Sequence, residues 1–280
     1  MIHVLAVPYD SGRRGERMGA GPLRLLDAGV VGRIEATGHE VQTTVVEISP
    51  GLWPAEIAAA FDLAARVAVL VREAIAAGAF PLVLSGNCGP AAIGCVSGIR
   101  DVSRVFWFDA HGDFNTPETT IGGFLDGMAL ATLTGRCWSQ LAAGIPGFRP
   151  VSEDSVTLIG ARDLDPLEAE ALAVSGIRHL TAADIPGTLS ALSSDDDVAA
   201  SYVHLDLDVL DPCEGLINRY SVAGGLTVAA TRDALRHIRR HTGIAAASLT
   251  ALDPARDVSD AAVTSAIDLC VALVSQQPPA

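Results

Sequence analysis

Short runs of apolar and β-branched residues alternate along this chain with longer stretches whose apolar positions recur every three or four residues. Parallel strands need a helical crossover between them, so this alternation is the pattern of a mostly parallel sheet. It predicts strands near Ile2–Val7, Val41–Ile48, Pro81–Ser85, Arg104–Asp109, Ser155–Gly160, Ile177–Leu180, Ser201–Asp206 and Ala245–Leu249. Helices are predicted near Pro54–Ala77, Gly89–Ile99, Asp126–Thr134, Asp165–Ser175, Val228–His241 and Ser259–Ser275. The first of these is the clearest, with Pro54 in its first turn and Gly78 just past its end. No repeat and no Pro/Gly/Ser-rich linker interrupts the pattern, and only Gln276 to Ala280 read as a frayed end. Residues 1–280 therefore read as one domain, a three-layer α/β/α fold around a mostly parallel eight-stranded sheet.

Composition supports that architecture: 49% of the residues are hydrophobic and only 5% aromatic, as in an alanine- and valine-rich sheet covered by helices. A formal charge of -14 excludes general binding to a phosphate backbone, so nucleic acid is not an expected partner. No apolar run reaches the ~18–20 residues of a membrane span. The opening MIHVLAVPYDSG lacks the basic segment and long apolar stretch of a secretory signal. Cys88, Cys95, Cys137, Cys213 and Cys270 are odd in number and show no CxxC spacing. These features read as a cytoplasmic protein with reduced thiols that acts on a small molecule.

Two segments place acidic residues just beyond a hydrophobic strand: VFWFDAHGDFN at 105 to 115 and YVHLDLDVLDP at 202 to 212. In open α/β sheets ligands bind in the crevice beyond the carboxyl ends of the strands. Strand side chains alternate faces, so Asp109 and His111 share one side, as do Asp206 and Asp208, and Asp113 can join them as the chain leaves the strand. Carboxylates gathered at one sheet edge repel one another unless a cation lies between them. Carboxylate-rich ligation with one imidazole suits Mn²⁺ and similar ions. A single DxD after a strand is commonly only a turn or a helix cap; two such clusters, one with an interleaved histidine, favour metal binding over that plainer reading.

The segment DAHGDFN resembles the DAHxDxN motif of the arginase (ureohydrolase) superfamily, and HLDLDVLDP resembles its SxDxDxxDP motif. PYDSGRRGERMGAGPLRL and GARDLDP are similar to further family blocks, so the likeness spans almost the whole chain. The resemblance implies two metal ions per subunit, usually Mn²⁺, held by Asp109, His111, Asp113, Asp206 and Asp208. It implies a bridging water or hydroxide that attacks a guanidinium or amidine carbon, and a homo-oligomer, trimeric or hexameric. The family's GGDHS signature is replaced here by SGNCG at 85 to 89. Cys88 stands at the position of a metal-binding histidine and Asn87 at that of an aspartate. Cys88 is read as a replacement ligand, since thiolates bind divalent metals; the alternative is a small buried residue beside a weakened second position. His204 is not at a family ligand position and is read as support or core.

The resemblance also implies a substrate with an amino-acid end. Asn115 and Thr120 fall where arginases bind the α-carboxylate, and Asp165 and Glu168 where they receive the α-amino group. Asp165 can equally cap the helix that follows it. Asp126 replaces the proton-shuttling histidine, as an acid/base or as the N-cap of its own helix, and Ala251 replaces the glutamate that holds the guanidinium. Arginine is thus a poor fit. A linear guanidino, hydroxyguanidino or amidine compound is the expected substrate, with an amide hydrolase on the same scaffold or a non-catalytic relative as the rivals. The Nω-hydroxy-L-arginine amidinohydrolase of D-cycloserine biosynthesis is similar in its cysteine and its DFNTPETT block, but it keeps an acid where this chain has Ala251.

Overall fold

The computed structural model describes residues 1–53, 55–184 and 200–275. Strands β1 (Ile2–Val7), β4 (Val41–Val45), β5 (Phe80–Ser85), β6 (Arg104–Phe108), β7 (Val156–Ile159), β8 (Arg178–Leu180), β9 (Ser201–Asp206) and β10 (Ile244–Thr250) form one sheet in the order β4-β1-β5-β10-β9-β6-β7-β8. Every pairing within it is parallel. Two-residue strands β2 (Tyr9–Asp10) and β3 (Arg13–Arg14) make a separate small ribbon. The chain leaves β5, passes over β10 and β9, and re-enters the sheet as β6. That jump opens a crevice at the carboxyl ends of the four middle strands, the usual ligand position in such sheets.

Side-chain alternation divides the core into two layers. Leu82, Leu84, Phe106, Phe108, Val203, Leu205, Ala247 and Leu249 pack against α1 (Gly21–Asp27), α2 (Val30–Glu35) and the helices Val228–His241 and Ala261–Val274. Val83, Val105, Trp107, Tyr202 and Ala246 pack against α3 (Glu56–Ala76) and α4 (Cys88–Gly98). By the same parity Asp109, His204, Asp206, Ser248 and Thr250 face the α4 side. Every residue of α4 is buried, because the helix lies between the sheet and α3. Gly94 and Gly98 permit that approach: a Cβ at either would stand 2.6 Å from Val67 or Val71. Alanine at Gly94 therefore forces α3 off α4 and moves the helix whose first residue is Cys88.

The architecture and sheet agree with the sequence pattern, with local differences. The 54–77 helix runs from Glu56 to Ala76, and Pro54 lies outside the described residues, as do Gln276 to Ala280. The helix expected at 126–134 is a 3₁₀ turn, Asp126–Met128, followed by a short α5 (Ala129–Leu133). Helices α1, α2 and α6 (Ser139–Ala143) were not anticipated; each spans seven residues or fewer, too short for a helical period to show. Among the described residues, no helix is long and apolar enough to cross a membrane.

Candidate metal centre

Strand register brings the two acidic segments together. Phe108 pairs with Leu205 across β6 and β9, so Asp109 and Asp206 leave the sheet side by side. Both motifs then turn in the same way. Asp109 Oδ1 accepts the backbone N–H of His111 at 2.8 Å, and Asp206 Oδ1 accepts that of Asp208 at 2.8 Å. The turn role and the gathering of carboxylates therefore coexist, because each inner oxygen tightens a bend that brings the next ligand-type side chain round. On the other side of β9, Thr250 pairs with both Asp206 and Ser85, which places the start of α4 against the same edge. Cys88 Sγ donates to Asp206 Oδ2 at 3.0 Å.

Two sets of ligand-type atoms result. Single atoms of Cys88, Asp109, His204 and Asp206 lie within 4.8 Å of one another, as do single atoms of Asp109, His111 and Asp208. Asp109 belongs to both. His111 Nδ1 is 3.2 Å from Asp109 Oδ1 and 3.5 Å from Asp208 Oδ2. Asp113 lines the same cleft but is in neither tight set. Its φ of 48° holds it in the left-handed region, and its buried Oδ2 has no hydrogen-bond partner among the described residues. Strained backbone and a bare buried carboxylate oxygen are both costly unless a positive ligand satisfies that oxygen.

The electrostatics carry the same message. Burial, then neighbouring carboxylates, push the carboxyl groups of Asp113 and Asp206 well above the ordinary range. Burial and Asp208 raise that of Asp109. Burial opposes a charge on His111, but Asp208 and Asp109 overcome it and raise the imidazole strongly; in return His111 holds Asp208 low despite its burial. In the protein alone, protons do the neutralising that cations can do at the same oxygens. Burial and Asp206 push the Cys88 thiol up, and burial takes His204 down to about 3, so that ring is neutral.

Asp126 departs from the expectation that it caps its own helix. Its side chain reaches back to α4, where Oδ2 accepts from Cys88 N at 2.9 Å and Asn87 Nδ2 at 2.8 Å, and Oδ1 accepts from Gly89 N at 2.8 Å. It caps α4 from outside, because the backbone N–H groups of Cys88 and Gly89 at that helix start need an acceptor. Burial raises Asp126 to about 7 despite those donors. Asn87 and Asp126, two departures from the family pattern, are therefore one hydrogen-bonded pair. Ala251 sits in the left-handed region with φ 68°, and its small side chain leaves the cleft wall open at that point.

The cleft has a volume of about 270 Å³, and Asn115, Thr120, Asp165 and Glu168 all line it. Asn115 Nδ2 donates to Asp165 Oδ2 at 3.2 Å, while Thr120 Oγ1 accepts from Gly123 N at 3.0 Å. Glu168 is 3% exposed, and its carboxylate accepts from Phe114 N at 2.8 Å and Asp165 N at 3.2 Å. It braces the DAHGDFN loop from behind; a Cβ at Gly112 would lie 2.6 Å from its Oε1, so a side chain there would push the Glu168 carboxylate off its place against the loop. Sequence reasoning missed Asn218 and Arg162 and gave His204 no ligand role. Asn218 donates to Asp208 Oδ2 and to the Ala251 carbonyl, both at 3.1 Å. Arg162 donates to the carbonyls of Asp208 at 3.0 Å, Val209 at 3.3 Å and Leu210 at 3.3 Å, holding the second acidic turn. His204, read as support or core, brings a ring nitrogen within 4.8 Å of ligand-type atoms of Cys88, Asp109 and Asp206. Asn218 had no signal beyond its type, and Arg162 stood in the GARDLDP block with nothing to name the carbonyls it would hold; for His204 the strand parity shared with Asp206 was the available signal.

Fold and cleft together define a member of the arginase/ureohydrolase superfamily. The arginase family model matches residues 1–275, and the chain belongs to that family. It is 32% identical to the arginase of Brevibacillus brevis over 249 residues, 81% of each chain, and 28% identical to that of Bacillus caldovelox over 299 residues, 99% of this chain and 98% of the other. The crystal structure of arginase from Bacillus cereus superposes with a TM-score of 0.87 at 29% identity, covering 99% of both chains. The agmatine ureohydrolase of Thermoplasma volcanium, at 17% identity and a TM-score of 0.70, shares the fold over 97% of this chain and 88% of its own.

Proposed function

We propose that this protein hydrolyses a C–N bond in a linear guanidino, hydroxyguanidino or amidine compound with an amino-acid end, using two divalent ions. The observation that carries this reading is the pair of ligand sets joined at Asp109, with the bare oxygen of Asp113 beside them. The donors fit the cofactor: Asp109, His111, Asp113, Asp206 and Asp208 as ligands, with Cys88 in place of an imidazole, suit Mn²⁺ at the carboxylate-rich end. When bound, the ions supply an acidified water as nucleophile and offset the charge of the tetrahedral centre.

The chain's own residues select and orient the substrate. Asp163, Asp165 and Glu168 line the cleft and, among the described residues, no lysine or arginine does, so a cationic ligand is favoured. Asp165, on the rim, suits an α-ammonium group, and Asn115 with Thr120 offers neutral donors to a carboxylate. Glu168, already bound to two backbone N–H groups, acts through the loop it braces. Ala251 offers no carboxylate, which disfavours plain arginine and leaves room for an N-hydroxyl or another N-substituent. Asp126 lines the cleft with a pKa near 7, suited to taking and returning a proton near neutrality. A thiol ligand needs a reducing compartment, which fits the cytoplasm. The homo-oligomer implied by the family is checked by light scattering.

The test is a product screen. Manganese-loaded protein is incubated with arginine, agmatine and Nω-hydroxy-arginine, and urea, hydroxyurea and ammonia are quantified. Release of hydroxyurea or urea from an α-amino substrate, with arginine the poorer one, supports the reading. Ammonia alone, or no product from any guanidino compound, removes it.

A further inference from the structure

Beneath the cleft floor lies a buried polar column that the proposed hydrolysis does not use. His204 pairs in register with Trp107 on one side and with Ser248 on the other, and its ring stacks on Trp107 with centroids 3.9 Å apart. It is 0% exposed. Its Nδ1 lies 2.9 Å from Ser248 Oγ and 3.2 Å from the Tyr202 hydroxyl, and those two oxygens are 2.6 Å apart. Nε2 has no partner. Placing an imidazole in a core with one ring nitrogen bare costs free energy, and stacking on Trp107 does not satisfy that nitrogen. A ring nitrogen of His204 also belongs to the set with Cys88, Asp109 and Asp206, whose atoms all lie within 4.8 Å of one another. Two ligands each about 2.0–2.3 Å from one ion are at most ~4.5 Å apart, so the set is close to ligation distance as it stands.

We propose that His204 ligates, through Nε2, the ion on the Cys88 side, so that this position combines one thiolate and one imidazole with carboxylates. The inference rests on the dinuclear reading above. A proton on Nδ1, donated to Ser248 Oγ, leaves the Nε2 lone pair free; metal-bound histidines are oriented by an outer hydrogen bond of this kind. His204 stands where the family motif has serine, and Cys88 where it has histidine. The imidazole lost at position 88 is supplied again from the strand below. Thiolate plus imidazole is a softer donor set than the Asp109–His111–Asp208 end, so the Cys88 position prefers Zn²⁺ or Co²⁺ over Mn²⁺.

The test uses metal binding, not turnover. Full-length protein stripped with a chelator is reloaded with Zn²⁺, titrated against a chromophoric chelator, and measured by X-ray absorption at the zinc edge. Wild type is expected to show two imidazole scatterers and one sulfur per pair of ions. His204→Ser should lose one imidazole and weaken one of the two sites by at least about 10–100-fold. Ser248→Ala, which keeps the ring but removes its anchor, should weaken the same site by less; it carries the test if His204→Ser does not fold by circular dichroism. Unchanged constants and imidazole count in His204→Ser, or an unchanged constant in Ser248→Ala when that variant carries the test, overturn the proposal and leave two ions in place. A wild type that binds no zinc overturns the dinuclear reading as well.

Discussion

The two ends of the ligand cluster share Asp109 but are built on opposite plans. At the His111 end the groups stand on turns: Asp208 is held by Asn218 and by the Arg162 clamp on its backbone, and His111 lies between two carboxylates near the cleft opening. At the Cys88 end they come from rigid elements, the first residue of α4 and the end of β9, over a fully buried polar column. The turn end keeps the family pattern; the rigid end carries the departures, Asn87, Cys88, Asp126 and His204. Changes at that end come in neighbouring groups: Asn87 is hydrogen-bonded to Asp126, and ligand-type atoms of Cys88 and His204 lie within 4.8 Å of each other. An aspartate at 87 would place a second carboxylate against Asp126, and the amide removes that repulsion. In a buried charged site a single replacement leaves a partner unmatched, so compatible replacements are found among neighbouring side chains.

The sharpest way to break the contrast is to remove what the ends share. Asp109→Asn is expected to take the protein from two bound ions to fewer than one, with an affinity loss above about 100-fold, since even outer partners of ligands contribute about 10–100-fold; elemental analysis after gel filtration reads it. If Asp109→Asn kept two ions, the halves would be independent sites. Next, Cys88→Ala and Asp208→Asn should each leave about one ion per chain, in different positions, and titration with Mn²⁺ and Zn²⁺ should show opposite preferences in what remains.

A smaller effect concerns pH. In place of a thiolate, the imidazole of Cys88→His removes one negative charge from the cluster. The attacking water should then be more acidic and the pH–rate profile should move to lower pH. A wild-type profile at or below that of the variant contradicts the thiolate assignment. The metal-free protein adds a related sign. His111 holds its proton because Asp208 and Asp109 raise its pKa, so this proton's stabilisation is complete below the unfolded value near 6.5 and is lost only as pH rises through the raised folded value. Ion binding must displace that proton, so affinity falls as pH is lowered, visible as proton release in weak buffer. The smallest effect is at Asn218→Ala, which leaves Asp208 Oδ2 short of a donor; thermal unfolding of the metal-free protein should show a loss of about 1–3 kcal/mol.

Much of this was legible in the chain. Strands such as Val4–Val7, Leu82–Leu84 and Val105–Phe108 lie in a two-faced parallel sheet, where continuous apolar runs are required, and the acidic D-x-H step follows the last of them directly. The segment from Gly21 to Glu35 hid two helices because Gly29 and Gly32 break any period. Of the two roles read for Asp126, the N-cap of its own helix does not hold: its oxygens serve a helix start 37 to 38 residues earlier. Arg162 acts on carbonyls 46 to 48 residues ahead. Such roles depend on which strands become neighbours, which one-dimensional spacing does not carry.

The direct measurement is the number of Mn²⁺ ions retained per chain by the metal-loaded wild-type protein. Two equivalents agree with paired ions joined at Asp109. Fewer than one would mean that protons alone neutralise the cluster, and the hydrolase account would fail.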